Sequence, residues 1–384
     1  MNGPLSGLRV VALEQAVAAP FCSRQLADMG ADVVKIERPG AGDPSRAYDS
    51  ALHGESAYFA WLNRGKRSVM LDLSLKNDHD ACERLLERAD VFVHNLAPGA
   101  VERLGFGYDT LTAHHHRLIW CGISGYGPDG PRRDSKAYDM LVQAESGVIA
   151  MTGTPDAPAK VGVSMADISS GLYAYSSILT ALIQRGITGR GDRIDIAMLE
   201  CLTEWMSPPL SVWQGTGKVP ARAGVRHNMI VPYGAYPCAD GAVMFAIQND
   251  REWRRFCGGV MAQPALADDA RFVSNALRLQ HREALEALIE HRFREHAKSV
   301  VLGWLEAADI PTGSVNDVPA VAAHPQLAAR GRWTTVASPS GDIPALLPPH
   351  NLRGAPPRMG AVPALGEHTN EVLTELALEL GARE

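Results

Sequence analysis

Two apolar, β-branched runs, Leu8 to Glu14 (LRVVALE) and Asp32 to Ile36 (DVVKI), flank a segment with a proline near its start, Pro20, and a glycine at its end, Gly30. Proline is tolerated in the first turn of a helix and glycine is favoured just past its last turn, so the spacing predicts strand, helix, strand. The unit recurs downstream. Arg67 to Leu73 reads as a strand, Asp78 to Arg88 as a helix, and Asp90 to His94, Arg117 to Ile123 and Arg193 to Met198 as further strands. Strands that alternate with helices assemble into a parallel sheet covered on both faces. In such sheets ligands collect outside the carboxyl ends of the strands. The residues to watch are therefore those that follow each strand: Gln15, Glu37-Arg38, Asn95 through Gly99, and Ser124-Gly125.

Beyond residue 200 the pattern changes. Pro208-Pro209 and Gln214 to Gly224 (QGTGKVPARAG) are turn-forming and read as a linker. Gly234 to Pro237 and Ala242 to Ile247 flank Ala239-Asp240-Gly241, which signals a hairpin. The expected organisation is a large α/β domain over 1–200, completed by 335–384, with a linker at 201–224 and a smaller α+β domain at 225–330. With 384 residues and 46% apolar content the chain can fill two cores.

The net charge of −6 gives no basic face for nucleic acid. The N-terminal sequence has no basic stretch leading into an apolar core, and no segment reaches the roughly eighteen uninterrupted apolar residues that a membrane span needs. The six cysteines lie far apart without a CxxC pair, as in a reduced, cytoplasmic protein. His114, His115 and His116 fall between a helix and a strand with no carboxylate at ligand spacing, so no metal site is expected. Gly125 to Gly130 (GYGPDG) satisfies G-x-G-x-x-G but continues into Pro131-Arg132-Arg133 rather than opening a helix, which argues against a dinucleotide site.

Lys136 to Gly171 carries two acids, Asp139 and Asp167, on either side of a segment rich in Gly, Ala and Pro. Asp167 directly precedes a helical run, ISSGLYAYSSILTALIQRG. It can cap that helix through the free backbone N–H groups, or it can use them to stay ionised and act as a nucleophile.

These blocks resemble the family III CoA-transferases, the group that contains formyl-CoA transferase and alpha-methylacyl-CoA racemase. The likeness runs from LSGLRVVALEQAVAAPFCSRQLADMGADVVKIERPGAGDPSR through NRGKRSVMLDL, ADVFVHNLAPGAVERLGFGY and GISGYGPDGP to GRGDRIDIAM. The resemblance implies a Rossmann-like large domain, a smaller α+β domain and an interlocked homodimer. It implies that Asp167 is the nucleophilic carboxylate, with Gln15, Tyr138 and Asp139 beside it. It places CoA contacts at Arg38, Leu71, Lys76, Asn95, Leu96, Ala100, Arg103 and Lys136. A CoA thioester is then a co-substrate, and no cofactor is held tightly.

Racemases of the family carry histidine immediately before the acid of the Ala137-Tyr138-Asp139 block. Here that residue is Tyr138, and a phenol with a pKa of about 10 is a poor base at neutral pH. The transferase reading is favoured over the racemase, with a non-catalytic acyl-CoA-binding protein as the remaining alternative. The glycine-rich lid of the formyl-CoA branch is replaced by ARAGVRHNMIVPYGAYPCADG. Its Arg222, Arg226, His227 and Asn228 suit the far carboxylate of a dicarboxylic acid, which points to succinyl-CoA as donor and to itaconate, mesaconate, malate or a similar C4 to C5 diacid as acceptor.

Overall fold

A computed structural model describes residues 3–381. The chain forms two compact units. One comprises the chain up to Gly147, Val161–Met206 and the chain from Pro325 onward; the other comprises Val148–Lys160 and Ser207–His324.

The larger unit is built on a six-stranded sheet of β1 (Arg9–Leu13), β2 (Asp32–Glu37), β3 (Arg67–Met70), β4 (Val91–His94), β5 (Ile119–Ser124) and β6 (Arg193–Ala197). Every neighbouring pair is parallel, in the order β3-β2-β1-β4-β5-β6. This is the parallel sheet that the alternating pattern called for, in the Rossmann-like order that the family resemblance implied. The strand order reverses between β1 and β4, so a crevice opens where their carboxyl ends diverge.

Side chains alternate across the sheet. Val11, Leu13, Val34, Ile36 and Phe92 bury one face against Cys82, Leu85 and Leu86 of the helices here labelled α1 (Ala18–Asp28) and α2 (Lys76–Leu86), the three belonging to α2, and against Val372 and Leu376 of the C-terminal helix. The opposite face is covered by α1 and by a long helix that follows α3 (Asp139–Glu145), namely α4 (Met165–Thr188). A Cβ on Gly171 of α4 would lie 2.5 Å from the Ala18 carbonyl oxygen, so glycine is what permits the two helices to approach so closely.

The sheet's outer edge is closed by the far end of the chain. Met70 donates its N–H to Thr369 Oγ1 at 2.9 Å, and Arg67 pairs with Glu375 at 2.8 Å and with Asp32 at 2.6 Å.

The smaller unit contains an antiparallel hairpin, β7 (Tyr233–Cys238) and β8 (Gly241–Ala246), extended by β9 (Thr312–Gly313). Tyr236, Val243 and Phe245 bury against Trp253, Ile289, Phe293 and Leu305 from the helices Asp250–Arg255, Arg282–Arg294 and Lys298–Ala307.

Two local expectations change. The segment expected to link the domains is largely helical, with Met198–Trp205 in the larger unit and Ser207–Thr216 in the smaller. The helix expected to start after Asp167 starts two residues before it, at Met165. All six cysteines are buried and unpaired, and no helix is long and apolar enough to cross a membrane among the described residues.

Candidate active site

The crevice between β1 and β4 is bridged by one side chain. Asn95, just past β4, accepts the Gln15 N–H at 3.0 Å and donates its amide to the Gln15 carbonyl at 2.8 Å. An asparagine matches both halves of a peptide group, so it can fix a strand end in both senses. The backbone of Gln15 is held where the residue lines a cavity of about 630 Å³. Ala16 follows in the left-handed region at φ 62°.

Asp167, Asp139, Tyr138, Lys136, Asn95 and Leu96 line the same cavity. The route by which the two acids meet starts at Gly125, where a Cβ would lie 2.2 Å from the Cβ of Ala137. The loop carrying Ala137 therefore packs directly on the turn after β5, and Tyr138 and Asp139 open α3 beside the start of α4. Asp139 Oδ1 accepts the N–H of Ala166 at 2.7 Å and that of Asp167 at 3.3 Å, and its Oδ2 accepts from Gln143 Nε2 at 2.7 Å. The other two early donors of α4 also have partners, Met165 N–H on the Val163 carbonyl and Ile168 N–H on the Ser164 carbonyl.

This corrects the expectation that Asp167 uses the helix N–H groups to stay charged. A different acid has taken them. Asp167 sits inside the first turn, half-buried, and burial together with the nearby Asp139 charge pushes its carboxyl up to about 7. Such a group is partly protonated near neutrality, and its ionised form is more basic, hence more nucleophilic, than an ordinary carboxylate.

A second cavity of about 470 Å³ shares Gln15, Leu96 and Ala97 with the first and is lined also by Arg38, Leu71, Ser74 and Ala100. Of the residues implicated in CoA contact, Lys76 and Arg103 line neither cavity. Lys76 is exposed and pairs with Asp80 at 2.7 Å, and Arg103 ends the short helix Ala100–Arg103. Among the described residues the one cluster with metal-ligand geometry, His79, Asp80 and Glu83, lies on α2 and lines neither cavity.

Sequence reasoning passed over two groups of residues at the site. Tyr48 and Tyr58 line the larger cavity with their rings 5.9 Å apart, edge to face. Burial raises the Tyr48 phenol, and the Asp43 and Asp167 charges push it the same way. Behind the Gln15 turn lies an ion cluster. Lys35 Nζ meets Asp43 at 2.7 Å and Glu14 at 3.4 Å, and Lys66 Nζ meets Glu14 at 2.6 Å. The side chains of Glu14, Lys35, Lys66 and Asp43 are buried, and desolvation draws Lys66 down to about 8. A lysine within the apolar strand DVVKIE was the available signal for this cluster.

The remaining site candidates belong to the smaller unit. Arg226 donates to Glu286 and to Glu290, and its guanidinium lies 4.6 Å from the Tyr236 ring centroid. Arg222 donates to the backbone carbonyls of Thr154, Ala150 and Pro155 at 2.9 to 3.2 Å. His227 Nδ1 accepts the N–H groups of Met229 and Ile230, each at 3.0 Å. Asn228 is half-buried.

Comparison with known proteins gives a consistent result. The family model described as CoA-transferase family III matches residues 5–369. The chain is similar to a succinate–glutarate CoA-transferase of Agrobacterium fabrum, 36% identical with 97% of this chain and 96% of that one covered. It is also similar to a succinyl-CoA:mesaconate CoA-transferase of Haloarcula marismortui, 33% identical with 99% and 98% covered. A crystal structure of a CaiB/BaiF family protein from Brucella suis superposes with a TM-score of 0.85 at 35% identity, covering 98% of this chain and 100% of that one.

Proposed function

The chain belongs to CoA-transferase family III and is an enzyme that transfers CoA, and from that premise we propose that it moves CoA from succinyl-CoA to a C4 to C5 dicarboxylic acid through covalent exchange on Asp167. The observation that carries the reading is the pairing of Asp167 with Asp139 in a cavity at the carboxyl ends of β1 and β4. The names of the relatives supply the substrate class: glutarate and mesaconate are dicarboxylates, and succinyl-CoA is the donor in the second. Itaconate and malate fall in the same class.

Exchanging CoA between two carboxylic acids requires a carrier of the same chemical kind. Ionised Asp167 attacks the thioester carbonyl; a C–O bond forms, the C–S bond breaks, and CoA leaves as thiolate. The thiolate then attacks the acyl carbon of Asp167, releasing succinate and leaving an aspartyl-CoA thioester. The acceptor carboxylate attacks this thioester and frees the thiolate, which takes the acceptor's acyl carbon and returns Asp167 as carboxylate. No proton or electron is gained or lost over the cycle.

With the helix donors occupied by Asp139, the side-chain amide of Gln15 is the group assigned to the developing oxyanion. Arg38, Leu71, Leu96, Ala100 and Asn95 are assigned to CoA along the two cavities, and Lys136, Lys76 and Arg103 to its phosphates by charge. For the acceptor's far carboxylate Arg222 is preferred, because backbone carbonyls leave its charge uncompensated, whereas Arg226 is already neutralised by two glutamates. His227 and Asn228 accompany it as hydrogen-bonding groups. The working form is taken to be an interlocked homodimer in the cytoplasm.

The test is to incubate the protein with succinyl-CoA and hydroxylamine, then locate the adduct by peptide mass spectrometry. A hydroxamate on Asp167, with no turnover in Asp167→Ala, is expected. An unmodified Asp167 with turnover retained in Asp167→Ala overturns the mechanism. A parallel screen of diacid acceptors identifies the substrate.

A further inference from the structure

Ala16 presents a problem of conformation. It is not glycine, yet it sits at φ 62°, where an L side chain costs about 1 kcal/mol or more. Something must hold it there. Its N–H donates to Asp43 Oδ1 at 3.0 Å. That oxygen also takes the N–H and the hydroxyl of Ser45, each at 2.8 Å, while Lys35 Nζ holds Oδ2 at 2.7 Å. Asp43 is itself fixed through its own N–H, which donates to Glu37 Oε2 at 2.9 Å. Asp43 is 3% exposed and Lys35 is fully buried on β2, so the acceptor is immobile on the scale of the turn it serves.

We propose that Asp43 is a positioning residue for Gln15, acting through the peptide group of Ala16. Asn95 grips the peptide units of Gln15 from the β4 side, and Asp43 grips the following N–H from the loop after β2. Between them the backbone of Gln15 has no free rotation, and its side chain is delivered to the cavity that holds Asp167. Loss of the Asp43 bond lets Ala16 relax to an ordinary φ, which turns the Gln15 amide away. A misplacement of about 1 Å costs on the order of a hundredfold in rate. The inference rests on the reading of Gln15 as the amide donor to the reaction.

The experiment is a double-mutant cycle with Gln15→Ala, read as kcat and as the KM for succinyl-CoA. Asp43→Ala should lower kcat tenfold or more, leave the KM within twofold, and add nothing when Gln15 is already alanine. Asp43→Asn keeps an acceptor for Ala16 but sets its Nδ2 against Lys35 Nζ, so the rescue is read with Lys35→Met beside it. Should Asp43→Ala fail to fold around a buried Lys35 left with Glu14 alone, the pair Lys35→Met/Asp43→Ala removes both charges together. That pair should show the same silent combination with Gln15→Ala, and Lys35→Met/Asp43→Asn should recover kcat. Losses that multiply in the Gln15→Ala background overturn the positioning role alone. Gln15→Ala at the wild-type rate overturns both the role and the reading of Gln15 beneath it.

Discussion

Asp139 caps the helix that carries Asp167: one oxygen accepts the N–H groups of Ala166 and Asp167, so two acids 28 residues apart share a single helix start. The cap binds one carboxylate into hydrogen bonds and leaves the other to bear the effects of burial and repulsion. Division of labour between paired carboxylates follows from such unequal surroundings.

Asp167→Asn should make the protein more stable at alkaline pH. The folded-state carboxyl of Asp167 lies at about 7, above its ordinary 3.8. Charging it therefore costs no stability below about pH 4, progressively more as pH rises to 7, and the full amount above that. The amide removes this cost. Thermal melts should show Asp167→Asn higher than wild type by roughly 2–4 °C at pH 8 and level with it near pH 4; an equal or lower melt at pH 8 contradicts the assignment. The groups facing the acid, Asp139, Tyr48 and Tyr138, are unchanged by the substitution.

Asp139→Asn separates its two effects. The amide oxygen can still accept from Ala166 and Asp167, but the negative charge that raises Asp167 is gone. The pH at which the hydroxylamine-trapping rate reaches half its maximum should move downward from the neighbourhood of 7. Asp139→Ala removes the cap as well and should cost about 1 kcal/mol of stability in denaturant unfolding. An Asp139→Asn profile superimposable on wild type would show that burial alone sets the Asp167 value.

Asn95→Ala should be costly at two levels. It leaves the N–H and the carbonyl of Gln15 without their partners, at about 1–3 kcal/mol for each group that stays dry. Asn95→Asp is expected to fare no better, since a carboxylate would face the Gln15 carbonyl that Nδ2 now serves. Denaturant unfolding and kcat measured together check this; a variant that restores kcat through Asp at this position would contradict the clamp.

Arg226→Ala should behave as a structural lesion. It strips a cation from Glu286 and Glu290, which keep only Arg282 and Arg294. Breaking such a half-buried network costs about 2–4 kcal/mol. Turnover of mono- and dicarboxylic acceptors should fall together with the folded fraction, whereas Arg222→Ala should raise the KM for dicarboxylates alone. The KM series for the two variants decides between them.

The sheet could be read from the sequence because its central strands are largely apolar, β-branched runs such as RVVAL and DVVKIE, and buried parallel strands leave few other ways to satisfy such runs. Gln15 and Asn95 were legible for the same reason, each following a strand as read from the sequence, although β1 itself ends at Leu13, two residues before Gln15. What was hidden depends on elements meeting in space. The start of α4 carried a misleading local signal: Ser164 stands at its N-cap and Asp167 in its first turn, yet the Ser164 side chain caps nothing, and the acceptor is Asp139, supplied from another helix. Tyr48 and Tyr58 belong to the loop and helix after β2, and nothing in RAYDS or SAYFA indicates which way those rings face. Lys35 and Lys66 were visible as lysines in or beside strands, but their partners Glu14 and Asp43 became apparent only with the chain folded.

The edge of the sheet at β3 carries a consequence for synthesis. Met70 and Arg67 find their partners at Thr369 and Glu375, some three hundred residues later. While the ribosome is still making the smaller unit, the nascent larger unit has all six strands but an unfinished border. A chain halted before Thr369 carries that border uncovered, where another nascent chain can pair with it.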